Sequence, residues 1–335
     1  MRRYIKFIPS MLSCFLLSAA MVTAVNAQGG GQKPLTLLVP TSSSTAADIT
    51  SRIIQPLLQQ RLDMPVIVEN RTGASGAIGM AAVVRAAPDG HTVLVGPSTM
   101  AMINLLQQEL TWNPVNDFEA VAQLANLSYA IVVNPDLPVN NVQELIALAK
   151  SKPGELNFAT PGVGTPHHLV TEMFKQVTGI NVLHVPYKTS AGAVNDLAGG
   201  QVDFAFQAVH SIMPLVEAGK LRIIATVTDA RTPWTDNVPT LKEQGVQGVV
   251  INSWIGAFVP KNTPQEIIDR YNREIGAILE MPDIKQKLFE NGIVVHHGTS
   301  GDMAALLKND TALWKRVASD GRVALGPVQK AEKDN

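Results

Sequence analysis

Five consecutive hydroxyl-bearing residues, Thr41 to Thr45, lie between a short apolar run, Leu35 to Val39, and a segment with apolar residues at helical spacing that starts at Ala46. The run is too short for a helix and predicts a buried strand, so the hydroxyl groups belong to a strand-to-helix loop. The first N–H groups of a helix have no partners within it and carry partial positive charge, which makes such a loop a pocket for an anion, typically a carboxylate or a phosphate. The residue types allow a second interpretation, in which Ser44 or Thr45 simply caps the helix.

A second loop with the same character follows the strand predicted over Leu156 to Ala159. Its residues are Thr160-Pro161-Gly162-Val163-Gly164-Thr165-Pro166. The spacing of apolar residues predicts a helix over His167 to Val177 directly after it. Either His167 or His168, in the first turn of that helix, could donate a hydrogen bond to a ligand carboxylate, while the other packs against the sheet.

The residue types and their spacing fit a metal site or an active site less well than they fit an anion-binding site. Adjacent histidines such as His296-His297 point in different directions on a helix and lack the spacing of a zinc site, so we predict no metal, no cofactor and a surface position for that pair. The residue types of a hydrolase triad occur in Ser42 to Ser44, His167 and Asp203, but no spacing brings a base to a nucleophile. We therefore predict no enzyme activity. The formal net charge of −1 offers no basic surface for nucleic acid.

Strand and helix signals alternate along the chain, which predicts a parallel α/β sheet with helices on its faces. Ligands bind such sheets at the carboxyl ends of the strands. Ser98 and Thr99 follow the strand predicted over Thr92 to Val95, so they are expected at the same sheet edge as Thr41 to Thr45. A second α/β series starts near Pro135, and a mostly helical final stretch is expected to return to the first unit.

The N-terminus reads as a secretory signal peptide over residues 1–27. Three positive residues, Arg2, Arg3 and Lys6, precede an apolar run, and Val25-Asn26-Ala27 supplies small residues for cleavage after Ala27. The run is short for a retained membrane anchor, and no later stretch is long and apolar enough to span a bilayer. The single cysteine, Cys14, lies in this run, so the exported chain would contain no disulfide or thiolate site.

Several motifs together resemble one protein family over nearly the whole chain after the signal peptide. In order they are Leu37 to Arg52, Val68-Glu69-Asn70-Arg71-x-Gly73-Ala74-x-Gly76, Pro88-Asp89-Gly90-His91-Thr92, Gly162-Val163-Gly164-Thr165-Pro166-His167-His168-Leu169, Val185-Pro186-Tyr187-Lys188, Asp196-Leu197-x-Gly199-Gly200-Gln201-Val202-Asp203 and Trp254-x-Gly256-x-Phe258-x-Pro260. The ordered set resembles the extracytoplasmic solute receptors of tripartite tricarboxylate transporters, called Bug-type receptors.

The resemblance implies a periplasmic binding protein of the second type, with two doubly wound α/β lobes and a ligand cleft between them. The first lobe would combine residues 28–130 with 250–335, and the second would span 131–249. The implied function is to capture a small organic carboxylate and deliver it, as a monomer, to the membrane subunits of a tripartite tricarboxylate transporter. A sensor that presents its ligand to a signalling partner and a secreted hydrolase on the same scaffold are the alternatives.

The resemblance also implies two loops that hold the ligand carboxylate. They correspond to Thr41, Ser42, Ser43, Ser44 and Thr45, and to Gly162, Val163, Gly164 and Thr165, with His167 beside the second loop. For the far end of the ligand the predicted contacts are Ser98, Thr99, Gln207 and His210. Family members usually carry an aromatic residue and glycines where Thr41 to Ser44 stand, and often an acidic residue where Gln207 stands. Both departures favour a plain carboxylate or a polar aromatic acid over an amino acid.

Overall fold

Strands and helices alternate from Leu35 onward in the computed structural model, which describes residues 33–107, 109–163, 165–228, 230–231, 235–249, 251 and 253–319. The predicted signal peptide and Cys14 lie outside the described residues. The strands are β1 (Leu35–Val39), β2 (Val66–Asn70), β3 (Thr92–Pro97), β4 (Phe118–Asn126), β5 (Tyr129–Val133), β6 (Asn157–Thr160), β7 (Leu183–Pro186), β8 (Phe204–Ala208), β9 (Arg222–Thr226), β10 (Trp254–Pro260) and β11 (Val294–Val295).

The helices surround these strands. They are α1 (Ala46–Leu62), α2 (Ala77–Val84), α3 (Ile103–Leu106), α4 (Val142–Ser151), α5 (Pro166–Thr178), α6 (Ser190–Ala198), α7 (Val209–Glu217), α8 (Gln265–Leu279), α9 (Pro282–Glu290) and α10 (Ser300–Ser319), with short 3-10 turns at Ala74–Gly76 and Ser98–Met102. The helix predicted over Ala77 to Ala87 ends earlier, at Val84, because the residues before Pro88 disfavour helical conformation. No helix in the described part of the chain combines the length and the apolar character that crossing a membrane requires.

The strands form two sheets. Sheet 1 has the order β11-β4-β10-β3-β1-β2, and sheet 2 has the order β7-β6-β8-β5-β9. The sequence predicted parallel sheets, and that prediction is wrong for β5, β10 and β11. The short strand β11 runs antiparallel to β4 at the edge of sheet 1. β10 runs antiparallel to β3 and β4, and β5 runs antiparallel to β8 and β9. Each of these two strands starts where the chain arrives from the other sheet, so it enters at the edge where its neighbours end and must run in the opposite direction.

The chain passes between the sheets twice within Pro34–Ser319. It leaves sheet 1 after Asn126 and enters sheet 2 at Tyr129, and it returns from Thr226 to sheet 1 at Trp254. The amide of Leu127 donates a hydrogen bond of 2.8 Å to the carbonyl of Ser253, which ties the two crossings together.

Each sheet has an apolar layer on both of its faces, which makes four layers in the two sheets. One face of sheet 1 packs against α1, α8 and α9, and the other packs against α2 and α10. One face of sheet 2 packs against α4 and α5, and the other packs against α6 and α7. The final helices therefore return to sheet 1, as expected from the order of the sequence signals. Leu169 of α5 lies in the same core as Met100 and Trp254, so a helix of sheet 2 also contacts sheet 1.

One buried polar pair joins the returning strand to the last helix. The indole nitrogen of Trp254 donates a hydrogen bond of 2.7 Å to Oδ2 of Asp310, and both side chains are buried. A buried donor that loses its acceptor costs about 1–3 kcal/mol. The pair therefore contributes to the packing of α10 on sheet 1.

We expect Asp310→Ala to lower the free energy of unfolding by about 1–3 kcal/mol, because the Trp254 N–H is left without this acceptor in the core. Urea unfolding followed by tryptophan fluorescence measures the change. Asp283→Ala is the control, since this exposed carboxylate lies 3.8 Å from Lys287 and should matter little. Equal losses in the two variants would contradict the assignment.

Candidate functional site

The first hydroxyl loop is closed on itself by side chains. The Thr45 hydroxyl donates to the Ser42 carbonyl at 3.0 Å, and the Thr41 hydroxyl lies 2.7 Å from the Thr45 hydroxyl. Thr45 is the residue that precedes α1, yet its side chain accepts no hydrogen bond from the first turn of the helix. The capping interpretation is therefore wrong for Thr45. Ser42, Ser43 and Ser44 are exposed beside this uncapped helix start.

Asp48 holds this loop in place from within α1. Its buried carboxylate accepts hydrogen bonds from the Ser44 amide at 2.9 Å, from Asn70 Nδ2 at 2.9 Å and from Arg52 Nε at 3.0 Å. Burial opposes ionisation of Asp48, but these hydrogen bonds outweigh it and lower its pKa. The Asn70 amide also donates to the Thr41 carbonyl at 3.1 Å. Ser44 adopts a positive φ of 63°, so the loop is held in a conformation that non-glycine residues seldom adopt.

Ser98 and Thr99 lie at the same edge of sheet 1 as this loop. They follow β3 directly, and β3 pairs in parallel with β1, so both strands end on one side. The side chain of Ser98 is buried, and Thr99 is half-buried. This confirms the expected sheet edge, while their contact with a ligand stays a prediction.

The second hydroxyl loop is held by Thr165, which caps α5. Its hydroxyl donates to the Gly162 carbonyl at 2.8 Å and accepts from the His168 amide at 3.4 Å. Gly162 has φ +135°, a conformation that a side chain would strain. Val163 at the tip of the loop is 49% exposed, and Gly164 lies outside the described residues. Thr165 therefore shapes the loop.

The two adjacent histidines at the start of α5 take different positions. His168 is buried and stacks on His184 with ring centroids 4.4 Å apart. His167 instead lies edge-on to Tyr129, with centroids 5.2 Å apart, next to the first chain crossing. His168 is thus the histidine that packs against the sheet, which leaves His167 as the candidate for ligand contact.

Three buried polar atoms on the predicted ligand residues have no hydrogen-bond partner. They are Nδ1 of His167, Nε2 of Gln207 and Nδ1 of His210, and among the described side chains only Arg222 Nε and His297 Nε2 share this property. The carbonyl oxygen of the fully buried Gln207 accepts from Ser190 at 3.1 Å, whereas its NH2 group has no acceptor among the described residues. An unpartnered buried polar group is costly, and a bound ligand would remove that cost.

His167 and His210 are uncharged near neutral pH. Burial, with a smaller contribution from His210, lowers the pKa of His167 to about 4, and burial lowers that of His210 to about 4. Burial also raises the pKa of Tyr129 to about 12, against the effect of its hydrogen bond with Ser253. His167, His210 and Tyr129 therefore bring polar but uncharged groups to the chain crossing. Sequence reasoning missed Tyr129 and Ser253, because neither lies in a motif that signals ligand chemistry.

A cavity of about 630 Å³ also lies at the chain crossings. It is lined from sheet 1 by Gln123, Asn126 and Trp254, from the crossings by Ser128 and Ser253, and by the segment that follows β9. None of the predicted ligand residues lines it. The cavity and the predicted ligand residues therefore both lie near the crossings but have no lining residue in common.

The other histidines form no metal site within the described residues, where no three metal-binding side chains gather. His296 is exposed as expected, but His297 is half-buried and its ring lies against Gly276. The surface position predicted for His297 is thus wrong, because the turn after β11 folds back onto α8.

Two α/β lobes, joined by two crossings and carrying polar loops at their sheet edges, define a binding protein of the second periplasmic type. Solved structures agree with this class. Rpa4515 from R. palustris, described with adipate, has a TM-score of 0.79 at 32% identity, over 88% of this chain and 98% of that chain. MatC from Rhodopseudomonas palustris, with bound malate, has a TM-score of 0.73 at 26% identity, over 85% of this chain and 98% of that chain.

Sequence comparison identifies the family. The profile of the tripartite tricarboxylate transporter family receptor, TctC, matches residues 50–321. Protein BugT from Bordetella pertussis is 29% identical over 313 residues, which cover 93% of this chain and 96% of the relative. The chain therefore belongs to the Bug-type receptors of the tripartite tricarboxylate transporter family, as its motifs indicated.

The lowered histidine pKa values make stability depend on pH. Burial is the first cause for each of His167, His168, His184 and His210, and it lowers their pKa from 6.5 to about 4. The unfolded chain thus binds more protons than the folded chain between these values. We expect the free energy of unfolding to be constant above pH 6.5 and to fall towards pH 4, by at most about 1.4 kcal/mol per pH unit for each histidine.

Urea unfolding between pH 8 and pH 5 measures this slope. His210→Asn removes one of the four titrating groups, so the slope below pH 6.5 should become shallower. Gln201→Asn, at an exposed position and without a titrating group, should keep the slope of the wild type. A His210→Asn slope equal to that of the wild type would contradict the contribution of His210.

Proposed function

We propose that this protein is an extracytoplasmic receptor that captures a small organic carboxylate between its lobes and delivers it to a tripartite tricarboxylate-type transporter. The observation that carries the proposal is the set of buried, unpartnered polar atoms on His167, Gln207 and His210. All three belong to residues that the sequence nominated for ligand contact. Family membership and the relatives with adipate or malate support the carboxylate.

The carboxylate would bind at the two helix starts. In the first lobe, α1 begins without a side-chain cap, and the exposed hydroxyls of Ser42, Ser43 and Ser44 supply further donors. In the second lobe, Thr165 holds the loop that precedes α5. Amide N–H groups, hydroxyls and helix dipoles can together hold a carboxylate without an arginine. Closure of the lobes around a hinge at the crossings would complete the site.

The far end of the ligand would contact neutral groups. Gln207 offers an N–H donor, and His167 and His210 offer uncharged imidazoles. No carboxylate stands at Gln207 to attract an ammonium group. We therefore propose a plain or polar aromatic acid as ligand, in preference to an amino acid.

Several further points belong to the proposal. The lobes would span 28–130 with 250–335, and 131–249, and the chain would act as a periplasmic monomer after cleavage behind Ala27. No catalytic residue, metal or cofactor is included. Turnover of an ester or amide by the purified protein would favour the alternative of a hydrolase, and intact uptake with lost signalling after gene deletion would favour a sensor.

A thermal-shift screen tests the ligand class. The compounds are mono-, di- and tricarboxylates, aromatic acids, amino acids and neutral sugars. A ligand at a hundred times its Kd adds about 2.7 kcal/mol of stability, which raises the Tm measurably. We expect shifts from carboxylates alone. Shifts from neutral compounds alone, or from no compound, would contradict the proposal.

Thr165→Ala and Ser43→Ala test the two loops. We expect the acid found in the screen to bind about tenfold more weakly, since Thr165→Ala removes one of the hydrogen bonds that hold the Gly162 carbonyl and Ser43→Ala removes a donor. Isothermal titration gives the Kd values. Thr299→Ala is the matched control, because the Thr299 hydroxyl caps α10 by accepting from the Asp302 amide at 3.1 Å. It should lose similar stability and keep the Kd, whereas wild-type binding by both loop variants would contradict the assignment.

Gln207→Glu tests the far end of the site. The change removes the unpartnered N–H2 donor and places a carboxylate in a fully buried position. We expect the Kd of the acid to rise at least about tenfold at pH 7.5 and to recover as the pH falls, because protonation neutralises the new carboxyl group. Gln201→Glu, at an exposed position, should bind like the wild type at both pH values. Unchanged binding by Gln207→Glu would remove this residue from the site.

A further inference from the structure

Gly292 of the first lobe lies very close to His210 of the second lobe. Gly292 lies in the turn between α9 and β11, beside sheet 1, and His210 lies in the first turn of α7, on sheet 2. A Cβ atom placed on Gly292 would lie 2.3 Å from the Cβ of His210, 2.6 Å from its Cα and 3.2 Å from its backbone nitrogen. Two of these atoms belong to the backbone, so a rotamer change of His210 would not relieve the clash.

The position of Gly292 at the end of a helix does not by itself explain why it lies so close to His210. Gly292 has φ +69°, and its amide donates to the Phe289 carbonyl at 2.7 Å, which is the usual geometry of a glycine behind a helix. Gly179 ends α5 with nearly the same φ of +68°, and a Cβ there would meet nothing within 4 Å. The αL conformation is therefore common to both turns, whereas the close contact between lobes belongs to Gly292.

The contact is made on residues next to the proposed ligand site. His210, in the first turn of α7, follows Gln207 of β8 by three residues in sequence, and the amide of Val209 between them donates to the Ser128 carbonyl in the first crossing at 2.8 Å. Nδ1 of His210 is one of the buried atoms without a partner. A shift of the first turn of α7 would therefore move both the far end of the site and its distance from the first lobe.

We propose that Gly292 is a positioning residue that sets the spacing of the two lobes at the far end of the ligand site. Its missing side chain lets the turn of the first lobe rest directly on the backbone of His210. This inference rests on the proposed receptor function, since it concerns the geometry that the ligand meets. It adds to the ligand site a residue that has no side chain to bind the ligand and that lies in none of the sequence motifs.

The test compares Gly292→Ala with Gly179→Ala. Both changes place an alanine at positive φ and should lower the Tm. Only Gly292→Ala must also push the lobes apart at His210, so only this variant should bind the acid found in the screen at least about tenfold more weakly. A Kd for Gly292→Ala within twofold of that for Gly179→Ala would overturn the inference.

Gly292→Asn, paired with Gly179→Asn, serves if the alanine variant fails to fold. Asparagine tolerates the αL conformation, so the turn is kept while the Cβ still meets His210. The same difference in Kd between the two positions is expected, and equal Kd values would again overturn the inference.

Spin labels at Ile67→Cys in the first lobe and Leu183→Cys in the second report the distance between the lobes, in protein that lacks residues 1–27 and with them the single cysteine, Cys14. Both positions are about half exposed. With the acid found in the screen at saturation, the distance between the labels should differ from the wild type in Gly292→Ala and match it in Gly179→Ala. A purely local role of the turn would not change this distance. If the wild type binds no acid at all, the proposed function fails, whereas wild-type binding together with an unaffected Gly292→Ala overturns only the positioning role.

Discussion

The hydrogen bond from the Leu127 amide to the Ser253 carbonyl lies at the centre of this fold, because it joins the two segments by which the chain passes between its sheets. A chain that leaves a sheet at one edge and returns at the same edge must continue in the opposite direction. This constraint accounts for the antiparallel direction of β5 and β10 in their sheets. It also brings the edges with the polar loops towards each other. The hydrogen bond between Tyr129 and Ser253 links the same crossings beside His167.

The two hydroxyl loops meet the same physical problem in different ways. A helix start needs acceptors for its first amides, and a receptor needs some of those amides to remain available for a ligand. Around α1, Asp48 and Asn70 fix the loop from behind, so Thr45 leaves the helix start uncapped. Around α5, Thr165 itself accepts from the first turn. The first loop therefore keeps more of its donors available, in agreement with the greater exposure of its serines.

Local sequence signals predicted most elements, because the strands are short apolar runs and the helices are amphipathic. β1 begins and ends at the predicted residues. Strand direction in β5 and β10 was missed, since it depends on where the chain crosses and not on residue type. The support that Asn70 gives to the first loop was missed for a similar reason: it comes from the end of β2, distant in sequence. The contact between Gly292 and His210 is likewise a tertiary contact, and a glycine behind a helix looks the same in sequence whether or not another lobe lies against it.

A ligand site built from buried neutral donors differs from one built around a buried charge. A buried arginine would attract any anion strongly, whereas unpartnered imidazole and amide atoms favour only a ligand whose own polar atoms reach them. A ligand that fills the site without forming hydrogen bonds to these atoms leaves them buried and unpaired. Such a ligand binds more weakly, and this difference in binding free energy provides the discrimination. A transport receptor must also release what it captures, and a site without a formal charge at its far end holds the ligand through geometry that is lost when the lobes separate. The neutral groups at Gln207 and His210 can discriminate between ligands only while the two lobes hold them at the correct distance. The spacing of the lobes at Gly292 and the selectivity of the far end of the site therefore depend on each other.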